Sequence, residues 1–371
     1  MTTQRIDIAI VGGGLVGSAL AWGMRALGPR LAVLDASDAH AASQGNFGLV
    51  WAQGKGLGMP AYVGWTIGSA RAWPQLAHEL RTHAGVDVAL EQTGGLHPCL
   101  SQREMESRAD RLERLHAQAG VERCDVRMLT RDEALARLPA LGPDVAGGSF
   151  GALDGHCNPL RLLAALRTGL RRAGVVRTHC RVEAMAPSAD GFRLLTDRGE
   201  VAAERVVVAA GRGTQRLAGM VGLSVPLVEN SGEVLVLERM RRFLPFALET
   251  IRQTDEGAVL LGDSHEPRTD AALDVAVLGA IARRALRVIP ALASAQVVRA
   301  WAASRVLTPD GFPVYAQSAA YPGAFAVACH SGVTLAAAHA LELAPAILGG
   351  SLPAALAPFA SGRFDHVRAA A

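Results

Sequence analysis

The chain opens with Arg5-Ile-Asp-Ile-Ala-Ile-Val-Gly-Gly-Gly-Leu-Val-Gly-Ser-Ala-Leu20. An apolar strand, Ile6 to Val11, runs into Gly12-x-Gly14-x-x-Gly17 and then into an Ala/Leu-rich helix. A second apolar run, Leu31 to Leu34, ends in Asp35. Strand, glycine turn, helix, strand and acid in this order form a dinucleotide-binding unit. Gly12 permits the tight turn. Gly14 lets the backbone approach a pyrophosphate at the positive end of the helix, and Gly17 lets helix and strand pack closely. A carboxylate at Asp35 is placed to bind ribose hydroxyls and would repel a 2′-phosphate, so the motif points to FAD or NAD rather than NADP.

Working outward, composition excludes several classes. At 371 residues the chain exceeds one typical domain, and half of it is hydrophobic, enough for a large core. The net charge of +3 is small, and no basic run interleaved with aromatics argues for nucleic acid. The scattered cysteines Cys99, Cys124, Cys157, Cys180 and Cys329 include no C-x-x-C pair, so neither a disulfide framework nor a metal or iron–sulfur site is indicated. That usage suits a reducing compartment. With a first strand so close to Met1, no secretory leader is expected, and a cytoplasmic location follows as an expectation. His330, His339 and Glu342 interrupt the Ala-rich stretch 323–349, so no membrane span is expected. Of 37 basic side chains only one, Lys55, is lysine.

The order of elements then bears on the cofactor. After the first unit comes an apolar, Gly-rich stretch, 42–60, whose backbone needs partners that a ligand can supply. Helices are expected over Tyr62 to His83, Gln102 to Gln118, Leu160 to Arg172 and Ala272 to Val288. Thr130-Arg-Asp-Glu133 reads as a capping box, and Asp154 to Pro159 as a turn. Strands are expected near 175–179, 193–196, 201–209, 233–237, 258–261 and 324–328, and a long Ala/Leu helix after the turn Cys329 to Thr334. The pattern is α/β at both ends with a strand-rich insertion between. A nucleotide domain built from separated segments favours FAD over a plain NAD dehydrogenase, whose Rossmann unit is normally contiguous.

With these elements in place, the chain resembles the FAD-dependent D-amino-acid oxidase superfamily, and within it the glycine oxidase/sarcosine oxidase branch. The resemblance spans nearly the whole length. It rests on the glycine motif with Asp35, the segment Ser43 to Val50, the strand Val206 to Gly211, Trp301 to Arg305 with Thr308-Pro-Asp-Gly311, and His330-Ser-Gly332. The chain is also similar to flavin subunits of D-hydroxyproline dehydrogenase, opine oxidase and hydrogen cyanide synthase. The loop Asn46-Phe-Gly-Leu-Val-Trp-Ala-Gln-Gly-Lys-Gly is most similar to the D-hydroxyproline dehydrogenase type. The resemblance implies a discontinuous, Rossmann-like FAD domain of the glutathione-reductase type (1–85, 145–225, 300–371). It also implies an α+β substrate domain with an antiparallel sheet (86–144, 226–299).

The chain departs from the family at Ala303-Ser-Arg-Val306, where the family has Gly-Leu-Arg-Pro, and at Ser231-Gly-Glu233, where it has Arg-Gly-Gln. The position of a flavin-linking cysteine falls at Ala303, so FAD is expected to be non-covalent.

Besides Gly12, Gly14, Gly17 and Asp35, the resemblance implies cofactor contacts from Leu15, Val16 and Ala36. Further contacts are implied in the flavin-side loop at Ser43, Gln44, Asn46, Phe47, Gly48 and Leu49. Val182, Ala210 and Gly211 complete the nucleotide side. The segment His330, Ser331, Gly332, Val333 and Thr334 opens a helix, and its backbone N–H groups suit the negative charge that gathers on a reduced flavin. His330 is an acid–base candidate, with the backbone role favoured over the imidazole.

Amino-acid substrates carry a carboxylate, and Arg305 matches the family's carboxylate clamp. Lys55 is either a surface lysine or a contact to substrate carboxylate, flavin or reduced oxygen. Trp51, Tyr62 and Trp301 either line the substrate pocket or belong to the core. The expected reaction is hydride transfer to FAD from a carbon bonded to nitrogen, in glycine, sarcosine, D-proline, D-hydroxyproline or a similar amino acid. The acceptor is O₂ or another carrier. Partner subunits that carry electrons onward, or a homo-oligomer, are compatible with the chain, and no metal is called for.

Overall fold

The computed structural model describes residues 6–365 apart from 39–40, 123, 263, 269 and 271. The outer limits of the expected FAD domain, 1–5 and 366–371, therefore lie outside the described residues. The central sheet is eight-stranded, in the order Val314–Gln317, Ala324–Ala328, Gly199–Val208, Ile6–Val11, Leu31–Asp35, Val176–His179, with Val182–Ser188 and Gly191–Thr196 as a side hairpin. Its four middle pairings around Ile6–Val11 are parallel, with Val11 opposite both Leu34 and Val208. Strands covered on both faces are uniformly apolar, which explains the runs that betray them. Their carboxyl ends converge on one edge, where ligands bind in folds of this type.

Helix Leu15–Met24 is almost wholly buried. It crosses the C-terminal helical stretch Ala336–Gly349 so closely that a β-carbon on Gly23 would lie 1.9 Å from the Ala340 carbonyl oxygen. That approach accounts for the alanine-rich composition of the last helix, which is continuous but widens to a π turn at His339–Leu343. Among the described residues no single helix is long and apolar enough to cross a membrane.

A second body carries two four-stranded sheets. One is antiparallel, in the order Ile251–Gln253, Ala258–Leu261, Ser231–Arg239, Val297–Ser304. The other runs Ala247–Leu248, Gly95–Cys99, Gly147–Gly151, Val126–Thr130. Helix Val275–Val288, capped by Asp274, shares their core with Leu96, Phe150, Leu235 and Leu248. Two expected boundaries move. Strand Gly147–Gly151 pairs with Gly95–Cys99, and Val297–Ser304 pairs with Ser231–Arg239, so the limit at 145 leaves the first on the wrong side and the limit at 300 cuts through the second, both strands being committed to the second body. The capping box forms as read: Glu133 N donates to Thr130 Oγ1 at 3.3 Å and Thr130 N to Glu133 Oε2 at 2.8 Å.

Candidate active site

The glycine turn is sterically obligatory. Gly12 has φ +109°, and a β-carbon there would lie 2.3 Å from the Ala209 carbonyl oxygen. One on Gly17 would lie 1.9 Å from the Gly12 oxygen, so Gly17 acts through helix–strand packing and does not itself face the cleft. Gly14 is the N-cap of helix Leu15–Met24, whose first turn has no acidic residue, as an anion site requires. Ser43 reaches across from the Gly-rich segment to accept from Leu15 N at 2.9 Å.

The cleft at the strand ends encloses about 290 Å³. Its walls include Gly12, Gly14, Leu15 and Val16, then Asp35 and Ala36, Ser43, Gln44 and Asn46, Val182, Ala210 and Gly211, and His330 and Gly332. Arg167 was not anticipated. From helix Pro159–Arg172 it approaches Asp35 at 3.6 Å and donates to the Gly13 oxygen at 3.1 Å, tying carboxylate and glycine turn together.

A second cavity, about 230 Å³, shares Asn46, Ser304, Cys329 and His330 with the first and so continues it. Phe47, Leu49, Trp51, Lys55, Glu249 and Arg305 line it, with Ser331, Val333 and Thr334. Arg305 follows strand Val297–Ser304. Its N–H donates to the Asn230 oxygen at 2.8 Å and its guanidinium to Asn230 Oδ1 at 3.2 Å, and it also contacts His265. Lys55 Nζ donates to Ser331 Oγ at 2.9 Å and to Thr334 Oγ1 at 3.4 Å. It therefore belongs to the site and is not a surface lysine.

Two buried charges hold the flavin-side loop. Asp154 Oδ1 accepts from Ala52 N at 2.6 Å and Gln53 N at 3.3 Å, fixing the turn that presents Lys55, and burial pushes its carboxyl up to about 6. Arg252 donates to the Phe47 carbonyl and lies over the Phe47 ring at 5.6 Å; burial brings its guanidinium down to about 10. Strand pairing of Leu49–Val50 with Gly155–His156 clips the loop to the Asp154 turn.

Three expectations need correcting. Tyr62 lines neither cavity: it is buried on helix Pro60–Ala84 against Phe312 and Phe359, and its hydroxyl donates to Ser331 Oγ at 3.0 Å. Trp301 also stays off the cavity, because its Nε1 donates to the Gly45 oxygen at 3.0 Å and braces the loop from behind. Gly48 takes a φ of +97° against the Cys157 oxygen and shapes the loop without lining the cleft. Asp154 and Arg167, which fix the loop and the glycine turn, and Glu249, which lines the second cavity, carry no local motif that marks them in the sequence.

The cleft suits a flavin dinucleotide. Two buried polar atoms, Ser304 Oγ on the wall shared by both cavities and Trp51 Nε1 on a residue lining the second, have no hydrogen-bond partner among the described residues, as expected where a polar-edged ring system binds. Gly14, Leu15 and Ser43 would hold the pyrophosphate, and Asn46, His330 and Ser331 the ring end. Among the described residues no group of His, Cys, Asp or Glu is arranged to hold a metal.

The comparisons agree with this cleft. The FAD dependent oxidoreductase (DAO) family model matches residues 7–346. An opine oxidase subunit of Rhizobium meliloti is 43% identical over 98% of this chain and 99% of its own, and the corresponding subunit of Agrobacterium tumefaciens (strain Ach5) is 42% identical over the same shares. The crystal structure of glycine oxidase from Geobacillus kaustophilus superposes with a TM-score of 0.88 at 28% identity, covering 96% of this chain and 98% of that one. The chain belongs to the DAO family of FAD-dependent oxidoreductases.

Proposed function

We propose that the enzyme oxidises the C–N bond of an N-substituted amino acid bearing two carboxylates, of the opine kind, in preference to glycine. One observation carries this reading: the substrate-side cavity is lined by two cations, Arg305 and Lys55, that reach it from different segments, against one carboxylate, Glu249, which is itself paired with His97. A single-carboxylate substrate engages one of them. A secondary amine with a carboxylate on each arm engages both. The similarity to opine oxidase subunits supports the same reading. Arg305 grips one carboxylate with its planar fork, held in place by Asn230. Lys55 faces the second from the loop that Asp154 fixes. When bound, FAD supplies the two-electron acceptor that removes a hydride equivalent from the carbon beside nitrogen, leaving an imine for hydrolysis.

The test is anaerobic bleaching of the flavin spectrum by an N-(carboxyalkyl) amino acid, compared with glycine, sarcosine, D-proline and D-hydroxyproline. Bleaching by glycine at equal or lower concentration would refute the two-carboxylate reading.

A second reading concerns the electron acceptor. The relatives from Rhizobium and Agrobacterium are named as subunits. In this chain Val297 and Val298 are 57% and 61% exposed on a strand paired along only one edge among the described residues. These features favour electron transfer to a partner polypeptide over O₂. Turnover of the isolated chain with an artificial dye but not with O₂ supports it, and rapid O₂ turnover counts against it.

A further inference from the structure

Ser331 Oγ lies at the meeting point of two donors, Lys55 Nζ at 2.9 Å and Tyr62 Oη at 3.0 Å. A serine hydroxyl has one hydrogen and two acceptor lone pairs. Tyr62 is 5% exposed, and among the described residues its hydroxyl meets only Ser331, so its O–H must donate there or be buried unsatisfied at a cost of about 1–3 kcal/mol. Burial raises the Tyr62 phenol far above its ordinary value, so it keeps its proton. Lys55 Nζ donates to it as well, since a lysine ammonium carries donors and no acceptor. Both lone pairs of Ser331 are therefore taken, and its own hydrogen is left for the cavity that Ser331 lines.

We propose that Lys55 and Tyr62 lock Ser331 as an obligate hydrogen-bond donor to the flavin ring, where it stabilises negative charge on the reduced ring. Tyr62 is then a positioning residue that reaches the cofactor only through Ser331. An unlocked serine hydroxyl rotates and serves as acceptor or donor equally well. The locked one meets developing negative charge without reorganisation. The proposal rests on the flavin reading of the cleft and not on the identity of the substrate.

Sulfite titration of the oxidised holoenzyme tests it without any substrate. Sulfite adds to the flavin and leaves negative charge on the ring, so its affinity reports donors to that charge. Ser331→Ala is expected to weaken sulfite binding at least tenfold and to lower the flavin midpoint potential; for a two-electron couple, tenfold corresponds to about 30 mV. Tyr62→Phe, which deletes one hydroxyl, is expected to weaken it about threefold or more, with FAD content retained. In the Ser331→Ala background Tyr62→Phe is expected to add nothing, as a double-mutant cycle requires of a residue acting through another. Unchanged sulfite affinity and potential in Ser331→Ala would overturn the proposal. So would a Tyr62→Phe effect of equal size in both backgrounds. Should Ser331→Ala lose its FAD, unchanged affinity in Tyr62→Phe alone would be sufficient to reject it.

Discussion

The Arg305 guanidinium lies against the α-carbon of Gly232, so close that a β-carbon there would sit 2.3 Å from its Nη2. Gly232 is paired with Ala303 on the neighbouring strand, in ordinary extended backbone, so the glycine is required by its neighbour and not by its dihedral angles. Gly232→Ala is expected to fold and to keep FAD, because the clash is with the far end of a flexible side chain. The displaced guanidinium loses its aim at the substrate carboxylate. Charge-assisted hydrogen bonds of this kind contribute about 1.5–3 kcal/mol, so KM is expected to rise roughly 10- to 100-fold. Arg305→Ala is expected to do at least as much. Steady-state kinetics with flavin content measured in parallel check this; loss of FAD with normal KM in the remaining holoenzyme would remove Arg305 from the substrate site.

Asp154 gives the fold a pH signature. Its carboxyl has an ordinary value of 3.8 and is pushed up to about 6 by burial, against the opposing pull of the Ala52 and Gln53 donors and Lys55. Below about 4 the group is neutral in folded and unfolded chains alike. Between about 4 and 6 the unfolded chain ionises first, so stability is lost as pH rises, by up to about 3 kcal/mol in total. Asp154→Asn does not titrate. Its Tm relative to wild type is therefore expected to rise as pH goes from 4 to 7, whatever constant offset the amide introduces. A gap that stays flat across this window would rule out a raised carboxyl.

What the sequence revealed and what it hid divide along a physical line. Gly12, Gly14 and Gly17 are legible because they fall at a fixed spacing within one strand–turn–helix unit, although only Gly17 meets that unit's own backbone, while Gly12 faces Ala209 and Gly14 the Ser43 side chain. The parallel strands are legible because burial on both faces demands continuous apolar runs. Lys55 stood out as the single lysine and does line the cavity. The remainder depends on contacts between residues far apart in the chain. Tyr62 and Ser331 are 269 positions apart, and nothing local tells a tyrosine that faces substrate from one that donates to a serine behind it. Asp154 reads as an ordinary Asp-Gly turn until Ala52 and Gln53 are seen to bond to it. The boundary near 300 moves because Val297–Ser304, exposed or half-buried throughout, carries no local mark of its sheet, and only its pairing with Ser231–Arg239 assigns it to the second body.

His339 has the opposite pH dependence from Asp154. It is fully buried in the last helix, with Nε2 2.8 Å from the Tyr315 hydroxyl, which in turn accepts from Trp65 at 2.9 Å. Desolvation pushes it down to about 3, so the folded chain holds it neutral. Its contribution to stability is present above about 6.5 and is lost as pH falls towards 3, at about 1.4 kcal/mol per pH unit. His339→Gln is expected to flatten the acid side of the Tm profile relative to wild type between pH 6.5 and 4. Parallel profiles for the two proteins would show that this histidine does not drive acid unfolding.

The flavin-side loop rests on strand Val297–Ser304 through a close contact at Gly45. A β-carbon on Gly45 would lie 2.4 Å from the Ala303 β-carbon and 3.2 Å from the Trp301 ring. Unlike the guanidinium over Gly232, these neighbours cannot swing aside: Ala303 is held in the sheet, and Trp301 is anchored by its bond to the Gly45 oxygen. Gly45→Ala must therefore lift the loop, and with it Ser43, whose Oγ holds the first N–H of helix Leu15–Met24, and Asn46, which borders both cavities. The expected outcome is weaker FAD binding, by about tenfold or more, with the second body intact. Titration of the apoprotein with FAD measures it directly, and Ser43→Ala is expected to reproduce part of the loss. Wild-type FAD affinity in Gly45→Ala would mean that the loop does not support the cofactor.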